Sequence, residues 1–141
     1  MNEYEEMKKR HAEEIQSIPM IFLFGKKTEE ELKEQLKSIE AESEEELCYI
    51  GAYGYIHKKN KDRFLEIVER QKKERQEKLR GAYYDYFYSM FATEMANQEY
   101  GYTLDLTDTL DACGVTAKDL EKNPVMRKAL NKASKDCIAG N

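Results

Sequence analysis

The most informative pattern of apolar and polar positions lies in residues 82–102, which hold six of the ten tyrosines of the chain. On a helical wheel, the large apolar side chains of this stretch cover an arc of roughly 200°. They are Tyr83, Tyr84, Tyr86, Phe87, Tyr88, Met90, Phe91 and Met95. A helix that is apolar over more than half of its circumference must be surrounded by the rest of its domain. The pattern therefore predicts a central helix, with Tyr86 and Tyr88 at the edges of the arc, where a ring can be buried while its hydroxyl contacts water.

The residues before this stretch predict a mixture of helices and strands. Thr28 and Glu31 have the spacing of a capping box, which indicates that a helix begins there. Gly81 separates two apolar stripes of different phase, so we expect the helical chain to break at this position. The predicted elements are a helix over 2–17, a strand over 20–24, a helix over 28–38, a hairpin of 47–50 and 55–58, and a helix from about residue 63 whose apolar stripe is Phe64, Val68 and Leu79, capped by Asn60 or Asp62.

The last forty residues predict three helices, each with a recognisable start or stop signal. Gly114 suits the end of a short helix over 104–113, and Thr116 caps a turn that runs to residue 122. Asn123 and Pro124 place an N-cap before a proline in the first turn of a last helix, which ends near Ile138.

Together these elements predict a helix-dominated α+β fold in a single domain over 1–141. A small antiparallel sheet, made of one short strand and the β-hairpin, packs against a long central helix and a C-terminal helical cap. The parts are a helix-strand-helix-hairpin segment over 1–58, central helices over 60–100 broken near Gly81, and the cap over 101–141.

The predicted hairpin contains the sharpest candidate for chemistry. If Ala52 and Tyr53 form a two-residue turn, Cys48 lies directly opposite His57, with β-carbons about 5 Å apart. Such a pair could activate a thiol nucleophile or supply half of a tetrahedral zinc site. The simpler interpretation is a small buried cysteine beside a half-exposed histidine, and no CxxC or HxxxH spacing supports a metal.

Two other patterns are weaker indications of a metal site. Asp105, Asp108 and Asp111 recur every third residue, but they lack the loop and glycine of a calcium-binding hand, so a solvated helix face is the better interpretation. His11 stands in a His-Ala-Glu-Glu sequence without the second histidine of the metalloprotease pattern, and we expect it to pack on a helix. The sequence therefore predicts no catalytic residue, no metal and no cofactor.

Composition and charge describe a highly charged globular protein. The chain has 141 residues, of which 40% are hydrophobic and 36% charged, and a net charge of −5. Residues 1–47 hold fourteen glutamates against seven basic residues, whereas residues 58–80 hold ten basic residues against five acidic ones. No segment approaches the ~18 apolar residues of a membrane span. Three scattered cysteines and an acidic N-terminus without a secretory signal lead us to expect a cytoplasmic protein.

Basic residues near the C-terminus leave a nucleic-acid-binding interpretation open. Two short helices and a longer one carry Lys118, Lys122, Arg127, Lys128, Lys132 and Lys135, an arrangement that faintly resembles a helix-turn-helix module. The sequence isoelectric point near 5.2 argues against it, and a helical cap on the core explains the same residues. The basic residues 58–80 with nearby tyrosines also suggest RNA, but the helical wheel buries most of those rings.

The order of these pieces resembles a family of small uncharacterised proteins carried by phages and conjugative elements of Firmicutes and gut bacteria. The stretches that carry the resemblance are residues 18–24, 49–56, 84–91, 94–100 and 108–114. The resemblance implies a mobile-element accessory protein, and some small proteins in that context look like anti-CRISPR proteins, which occupy a surface of an RNA-guided nuclease.

This resemblance and the charge pattern lead to an expectation about function. We expect a non-enzymatic inhibitor that binds a host protein, such as a Cas effector nuclease, because an acidic surface can oppose a basic nucleic-acid channel. The alternative is a small nucleic-acid-binding regulator of the mobile element that uses the basic C-terminal helices. The residues expected to contact the partner are Glu42, Glu44, Glu45, Glu46, Tyr86 and Tyr88.

Overall fold

The computed structural model describes residues 2–52 and 54–140. Over these residues the chain forms eight α-helices, three strands and two short 3₁₀ turns. The elements are α1 (Glu3–Gln16), β1 (Met20–Phe22), α2 (Glu29–Ser38), a 3₁₀ turn (Glu44–Glu46), β2 (Leu47–Gly51), β3 (Gly54–His57), a second 3₁₀ turn (Lys58–Asn60), α3 (Lys61–Arg80), α4 (Tyr84–Asn97), α5 (Tyr100–Thr103), α6 (Thr107–Cys113), α7 (Ala117–Lys122) and α8 (Pro124–Ala139). The expected helix-dominated α+β fold with a small antiparallel sheet is confirmed.

The chain divides into two compact units, which we describe separately. Residues 11–71 form the sheet unit, and residues 2–10 together with 72–140 form the helical unit. No helix in the described part of the chain is long and apolar enough to cross a membrane.

The sheet unit contains a three-stranded antiparallel sheet in the order β1-β3-β2. One face is covered by α2, whose Leu36 and the following Ile39 are buried together with Ile21 of β1. Thr28 accepts a hydrogen bond from the backbone nitrogen of Glu31 at 3.1 Å, which confirms the predicted start of α2. The apolar side of α2 therefore packs on the strands, as its spacing predicts.

The other face of the sheet contributes to a second small core. Ile18, Ile56 of β3 and Ile67 of α3 are buried together, so the sheet packs against the first half of the longest helix. The predicted stripe of α3 was wrong at Val68, which is 38% exposed. The buried residues of α3 are instead Ile67 and Gln71, because the face of the helix that meets the isoleucines runs through these positions.

The start of α3 also differs from the prediction. The 3₁₀ turn Lys58–Asn60 leads directly into α3. The cap of this 3₁₀ turn is His57, whose Nδ1 accepts from the backbone nitrogen of Lys59 at 3.0 Å. Asn60 lies inside this turn, and Asp62 lies in the first turn of α3. Neither residue therefore occupies the expected N-cap position.

The helical unit is built around α4, as the tyrosine-rich pattern predicts. Phe87, Met90, Phe91 and Met95 are essentially inaccessible to solvent, and α8 packs along the helix with Met126 and other small or apolar residues. The described members of this core come from the helices and the turns between them; the buried strand residues belong to the two cores of the sheet unit. The hairpin is therefore not part of the core around α4.

The predicted break at Gly81 is confirmed. α3 ends at Arg80 and α4 begins at Tyr84. A β-carbon at position 81 would lie 2.1 Å from a ring carbon of Tyr83, so the chain turns too closely here for another residue without movement of that ring. Asn123 stabilises the turn, because its side-chain nitrogen donates to the carbonyl oxygens of Leu79 at 3.3 Å and Gly81 at 2.9 Å.

The signals predicted for the last three helices are also present. Gly114 ends α6 in the left-handed conformation with φ of 68°, and Thr116 forms a capping box with Asp119 at the start of α7. Asn123 accepts from the backbone nitrogen of Met126 at 3.1 Å, with Pro124 in the first turn of α8. α6 begins three residues later than predicted, at Thr107.

Candidate functional site

The acidic residues predicted to contact a partner lie in a turn before β2, which we call the acidic turn (residues 42–46). Glu44–Glu46 form a 3₁₀ turn that Ser43 precedes in extended conformation. Glu42, Glu44 and Glu45 have exposed side chains, whereas Glu46 is half-buried. Three of the four predicted glutamates are thus presented to solvent on one short, ordered segment.

The side chain of Glu46 stabilises the acidic turn. Its Oε2 accepts from the backbone nitrogens of Glu42 and of Ser43, the latter at 3.2 Å. These two backbone donors hold the pKa of Glu46 below its ordinary value, and the nearby His57 adds to the effect. Because its carboxylate closes the turn, Glu46 positions the other three glutamates, and its own contact with a partner stays a prediction.

The predicted pairing of Cys48 with His57 was wrong. Cys48 lies opposite Ile56, and His57 lies opposite Leu47, because the register of β2 against β3 shifts between Tyr49 and Gly51. This bulge inserts one extra residue, and a slip of one residue sends a side chain to the other face of a sheet. Tyr53, half of the predicted two-residue turn, lies outside the described residues.

The thiol and the imidazole therefore belong to opposite faces of the sheet. Cys48 packs beside the core that contains Ile56. Both ring nitrogens of His57 have neighbours on the other side: Nδ1 accepts from Lys59, and Nε2 lies 3.6 Å from Oε1 of Glu46. The two residues cannot act as a nucleophile with its base or as half of one zinc site.

Asp105 and His11, two other residues considered as metal ligands, have structural roles. Asp105 precedes α6 and accepts from the backbone and side chain of Thr107 at 2.9 and 2.7 Å, which lowers its pKa. His11 is 7% exposed on α1, as packing predicts. Within residues 2–52 and 54–140, no group of three or more His, Cys, Asp or Glu side chains is placed to hold a metal ion.

Tyr49 lies close to the acidic turn in sequence and was not among the predicted contact residues. It lies two residues into β2, an edge strand of the described sheet, and its side chain is 57% exposed. Its ring lies 5.2 Å from that of Tyr55 on the neighbouring strand. The edge position of β2 could not be known before the strand order was known.

The sheet unit also has an apolar groove of ≈ 550 Å³. Its lining includes Ile15, Pro19, Met20 and Phe22, with His11 and Gln71 among the polar members. Phe22 is 45% exposed and stacks on Phe24, with ring centroids 6.1 Å apart. The lining contains no cysteine, serine or carboxylate, so this groove suits an apolar side chain better than a reacting group.

The two predicted tyrosine anchors lie in the helical unit and differ from expectation. Tyr86 is 2% exposed, and its ring meets that of Tyr4 edge to face at 5.8 Å, so the expectation of an exposed rim residue was wrong. The reason is tertiary, because α1 covers the edge of α4 where Tyr86 lies. Tyr88 is half-buried, and its hydroxyl donates to Asp136 at 2.5 Å, which raises the pKa of Tyr88.

Glu94 on α4 is a buried carboxylate that the sequence analysis did not select. It is 3% exposed and accepts from Tyr4 Oη at 2.8 Å, from Asn97 Nδ2 at 2.7 Å and from Lys8 Nζ at 3.2 Å. Burial raises its pKa, but these three donors outweigh burial and the pKa lies below its ordinary value. A carboxylate held ionised by three donors in a core is a structural group rather than a general acid or base.

The other buried titratable groups near Glu94 are also poorly suited to act as nucleophiles or as acid–base catalysts. Burial raises the pKa of the Cys113 thiol to about 12, so the thiol stays protonated near neutral pH. Burial and the hydrogen bond to Glu94 raise the pKa of Tyr4 well above its ordinary range. This cluster therefore ties α1 to α4 and offers no activated nucleophile.

The basic C-terminal residues of the nucleic-acid alternative are all exposed. Two of them have internal partners: Arg127 donates to the carbonyl oxygens of Leu120 and Glu121 at the end of α7, and Lys132 pairs with Asp136 at 3.0 Å. The other four, Lys118, Lys122, Lys128 and Lys135, project from α7 and α8.

Comparison with known proteins identifies a family but no characterised relative. No curated protein and no solved structure matches the chain. A family model described as a family of unknown function (DUF7659) matches residues 3–136. Because this match covers nearly the whole sequence, the chain belongs to that family of unknown function.

Proposed function

We propose that the protein acts without catalysis, by binding another protein through the acidic turn and the adjoining edge of the sheet. In its specific form, the proposal is that it is a mobile-element accessory protein of the anti-CRISPR type. It would inhibit an RNA-guided nuclease stoichiometrically by occupying a basic surface that otherwise holds nucleic acid.

The observation that carries this proposal is the exposure of Glu42, Glu44 and Glu45 on a turn whose geometry is fixed by Glu46. Charges on an ordered segment lose less conformational freedom on binding than charges on a flexible chain. A basic partner surface gains steering and specificity from such charges.

Tyr49 supplies the aromatic contact that this surface needs. A chain of four residues reaches at most about 14 Å, so Tyr49 lies within that distance of Glu45. Exposed tyrosines beside charged residues are typical energetic centres of protein interfaces. As β2 is an edge strand, a partner can also add backbone hydrogen bonds along it.

A non-enzymatic role is preferred because the suggested nucleophile and base are on opposite faces of the sheet. The alternative, a nucleic-acid-binding regulator, is favoured by one observation: Lys118, Lys122, Lys128 and Lys135 are exposed on the last two helices. It requires that a net charge of −5 does not prevent approach to a polyanion.

The first experiment is capture of candidate RNA-guided nucleases by the immobilised full-length chain, with and without a nonspecific nuclease that removes DNA and RNA. We expect capture that resists this treatment and is lost when Glu42, Glu44 and Glu45 are all changed to lysine. The matched control is Glu34, Glu66 and Glu69 changed to lysine, since these glutamates are also exposed in the sheet unit.

Two results would contradict the proposal. One is capture that disappears when nucleic acid is removed. The other is salt-sensitive binding of bare DNA or RNA that is lost when Lys118, Lys122, Lys128 and Lys135 are changed to glutamate, which would support the regulator instead.

A further inference from the structure

The turn around α5 in the helical unit exposes two large apolar side chains. Tyr102 is 83% exposed and Leu104 is 62% exposed, more than any other large apolar residue of the described chain. We call the segment of residues 99–105 the exposed turn. Single exposed apolar residues are common, but two so strongly exposed within three residues of one short turn are unusual.

The exposed turn has an ordered backbone. Tyr100 is 7% exposed, and its hydroxyl lies 2.8 Å from Ser134 Oγ on α8. The backbone nitrogens of Tyr102 and Leu104 donate to the carbonyl oxygens of Glu99 at 3.0 Å and Tyr100 at 2.8 Å. Tyr100 thus anchors the turn in the core while Tyr102 and Leu104 point away from it.

The backbone conformation of Leu104 is unfavourable for a leucine. It has φ of 57° and ψ of 20°, in the left-handed region that branched and bulky residues rarely adopt. The same unit uses glycine for the same task at the end of α6, where Gly114 has φ of 68° and ψ of 28°. A leucine that is strained and exposed adds little to folding, so its side chain indicates another role.

The chain on either side of the exposed turn is acidic. Residues 81–117 contain six acidic residues and no lysine, arginine or histidine. A cleft of ≈ 310 Å³ beside Tyr102 is lined by Glu99, Asp136 and Met95. The two carboxylate oxygens of Asp136 already have partners in Tyr88 and Lys132, so Glu99 is the carboxylate of the cleft that a ligand can use. No ion pair among residues 2–52 and 54–140 involves Glu99, Asp105 or Asp108.

We propose that the exposed turn is a docking surface for a protein segment that combines lysine or arginine with a large apolar residue. Tyr102 and Leu104 contact the apolar residue, and a basic side chain pairs with Glu99 at the cleft, where the ring of Tyr102 can also contact the cation. The charges of the turn and cleft favour a basic segment over a neutral or acidic one. This inference goes beyond the proposed function, because it uses the helical unit and does not depend on the acidic turn.

The test is a selection of random peptides displayed on phage against the immobilised full-length chain. The enriched peptides are then synthesised, and their affinity for the chain is measured. We expect peptides rich in lysine or arginine around a phenylalanine, leucine or methionine. Tyr102→Ala and Leu104→Gly should each weaken binding at least tenfold. Leu104→Gly is decisive because glycine relieves the strain, so its melting temperature should not fall.

Two controls separate this surface from others. Leu65→Ala removes a 51% exposed leucine of the sheet unit and should leave peptide affinity unchanged. The triple lysine variant of Glu42, Glu44 and Glu45 should also leave it unchanged, so failure of the proposed function and failure of this inference give different results.

Several outcomes would overturn the inference. These are the absence of any enriched peptide, enrichment of acidic peptides, affinity that survives both Tyr102→Ala and Leu104→Gly, and loss of affinity in the acidic-turn variant instead. A dimer in light scattering that Tyr102→Ala dissociates would show that a second copy of the chain occupies the surface, which would also overturn it.

Discussion

Replacement of Glu94 by glutamine tests how the core of the helical unit is held together. The substitution keeps the size of the side chain but removes the negative charge that accepts from Tyr4, Asn97 and Lys8. A hydrogen bond to a charged group contributes about 1.5–3 kcal/mol. Lys8 is 48% exposed and can be rehydrated, so its share is small.

The expected loss comes mainly from Tyr4, because Tyr4 is buried whereas Asn97 is exposed and can be rehydrated. In the variant the charge-assisted bond from the Tyr4 hydroxyl becomes a neutral one, and the second acceptor oxygen of the carboxylate is lost. We therefore expect Glu94→Gln to lower the free energy of unfolding by about 1–2 kcal/mol. Urea unfolding followed by tyrosine fluorescence and circular dichroism measures this loss, as the chain has no tryptophan.

The pH dependence adds a second, independent readout. The pKa of Glu94 in the folded protein lies below its ordinary value of 4.5, so the unfolded chain binds the proton more tightly. Its contribution is therefore fully present above the unfolded pKa and is lost as the pH falls through the folded pKa. The stability difference between wild type and Glu94→Gln should narrow steadily below pH 4.5.

The control for this prediction is Glu121→Gln, which changes an exposed glutamate of α7 and should shift the free energy of unfolding by less than about 0.5 kcal/mol. A loss in Glu94→Gln no larger than that of the control would show that the charge of Glu94 does not stabilise this core. A loss that is the same at pH 3 as at pH 7 would show the same.

The remaining predictions concern stability at neutral pH. Leu104→Gly should raise the free energy of unfolding by about 0.5 kcal/mol, because relief of the left-handed strain exceeds the entropy cost of glycine; a clear fall in melting temperature would contradict this. Tyr86→Phe should change the free energy of unfolding by less than about 0.5 kcal/mol, since among the described residues the hydroxyl has a hydrogen bond only to the thioether of Met7 at 3.8 Å; a loss above 1.5 kcal/mol in urea unfolding would reveal a stronger bond. Asn123→Ala should lower it by about 2 kcal/mol, because it removes the cap of α8 and two donations to the carbonyls at the end of α3; a loss no larger than that of an exposed alanine control would be inconsistent with these bonds.

Elements with local chemical signals could be predicted from the sequence. Thr28, Thr116 and Asn123 accept backbone hydrogen bonds three residues ahead, and Gly114 adopts the positive φ for which glycine is suited. These signals depend only on residues within one helical turn. The helix boundaries that they predict are therefore close to those in the structure.

The register of the hairpin could not be predicted in the same way. The extra residue between Tyr49 and Gly51 is a property of two strands together, and the alternating pattern of either strand alone does not reveal it. The candidate Cys48–His57 pair depended on that register. One shifted residue was enough to separate its members.

Burial around α4 shows both what a helical wheel reveals and what it omits. Glu94 lies three residues after Phe91 and seven after Phe87, in the middle of the apolar arc, so its burial could have been inferred from phase alone. Tyr86 lies at the edge of the arc and is buried only because α1 covers it. That contact joins residues about eighty positions apart, which no local pattern encodes.

A cleavage titration tests most directly whether the protein inhibits an RNA-guided nuclease through the acidic turn. RNA-guided nucleases are incubated with increasing amounts of the protein, or of the variant with Glu42, Glu44 and Glu45 changed to lysine, and cleavage of target DNA is measured. We predict that inhibition of a susceptible nuclease is complete near one protein molecule per nuclease and that the variant does not inhibit. Full cleavage by every nuclease at tenfold excess of protein, or equal inhibition by the variant, would contradict this prediction.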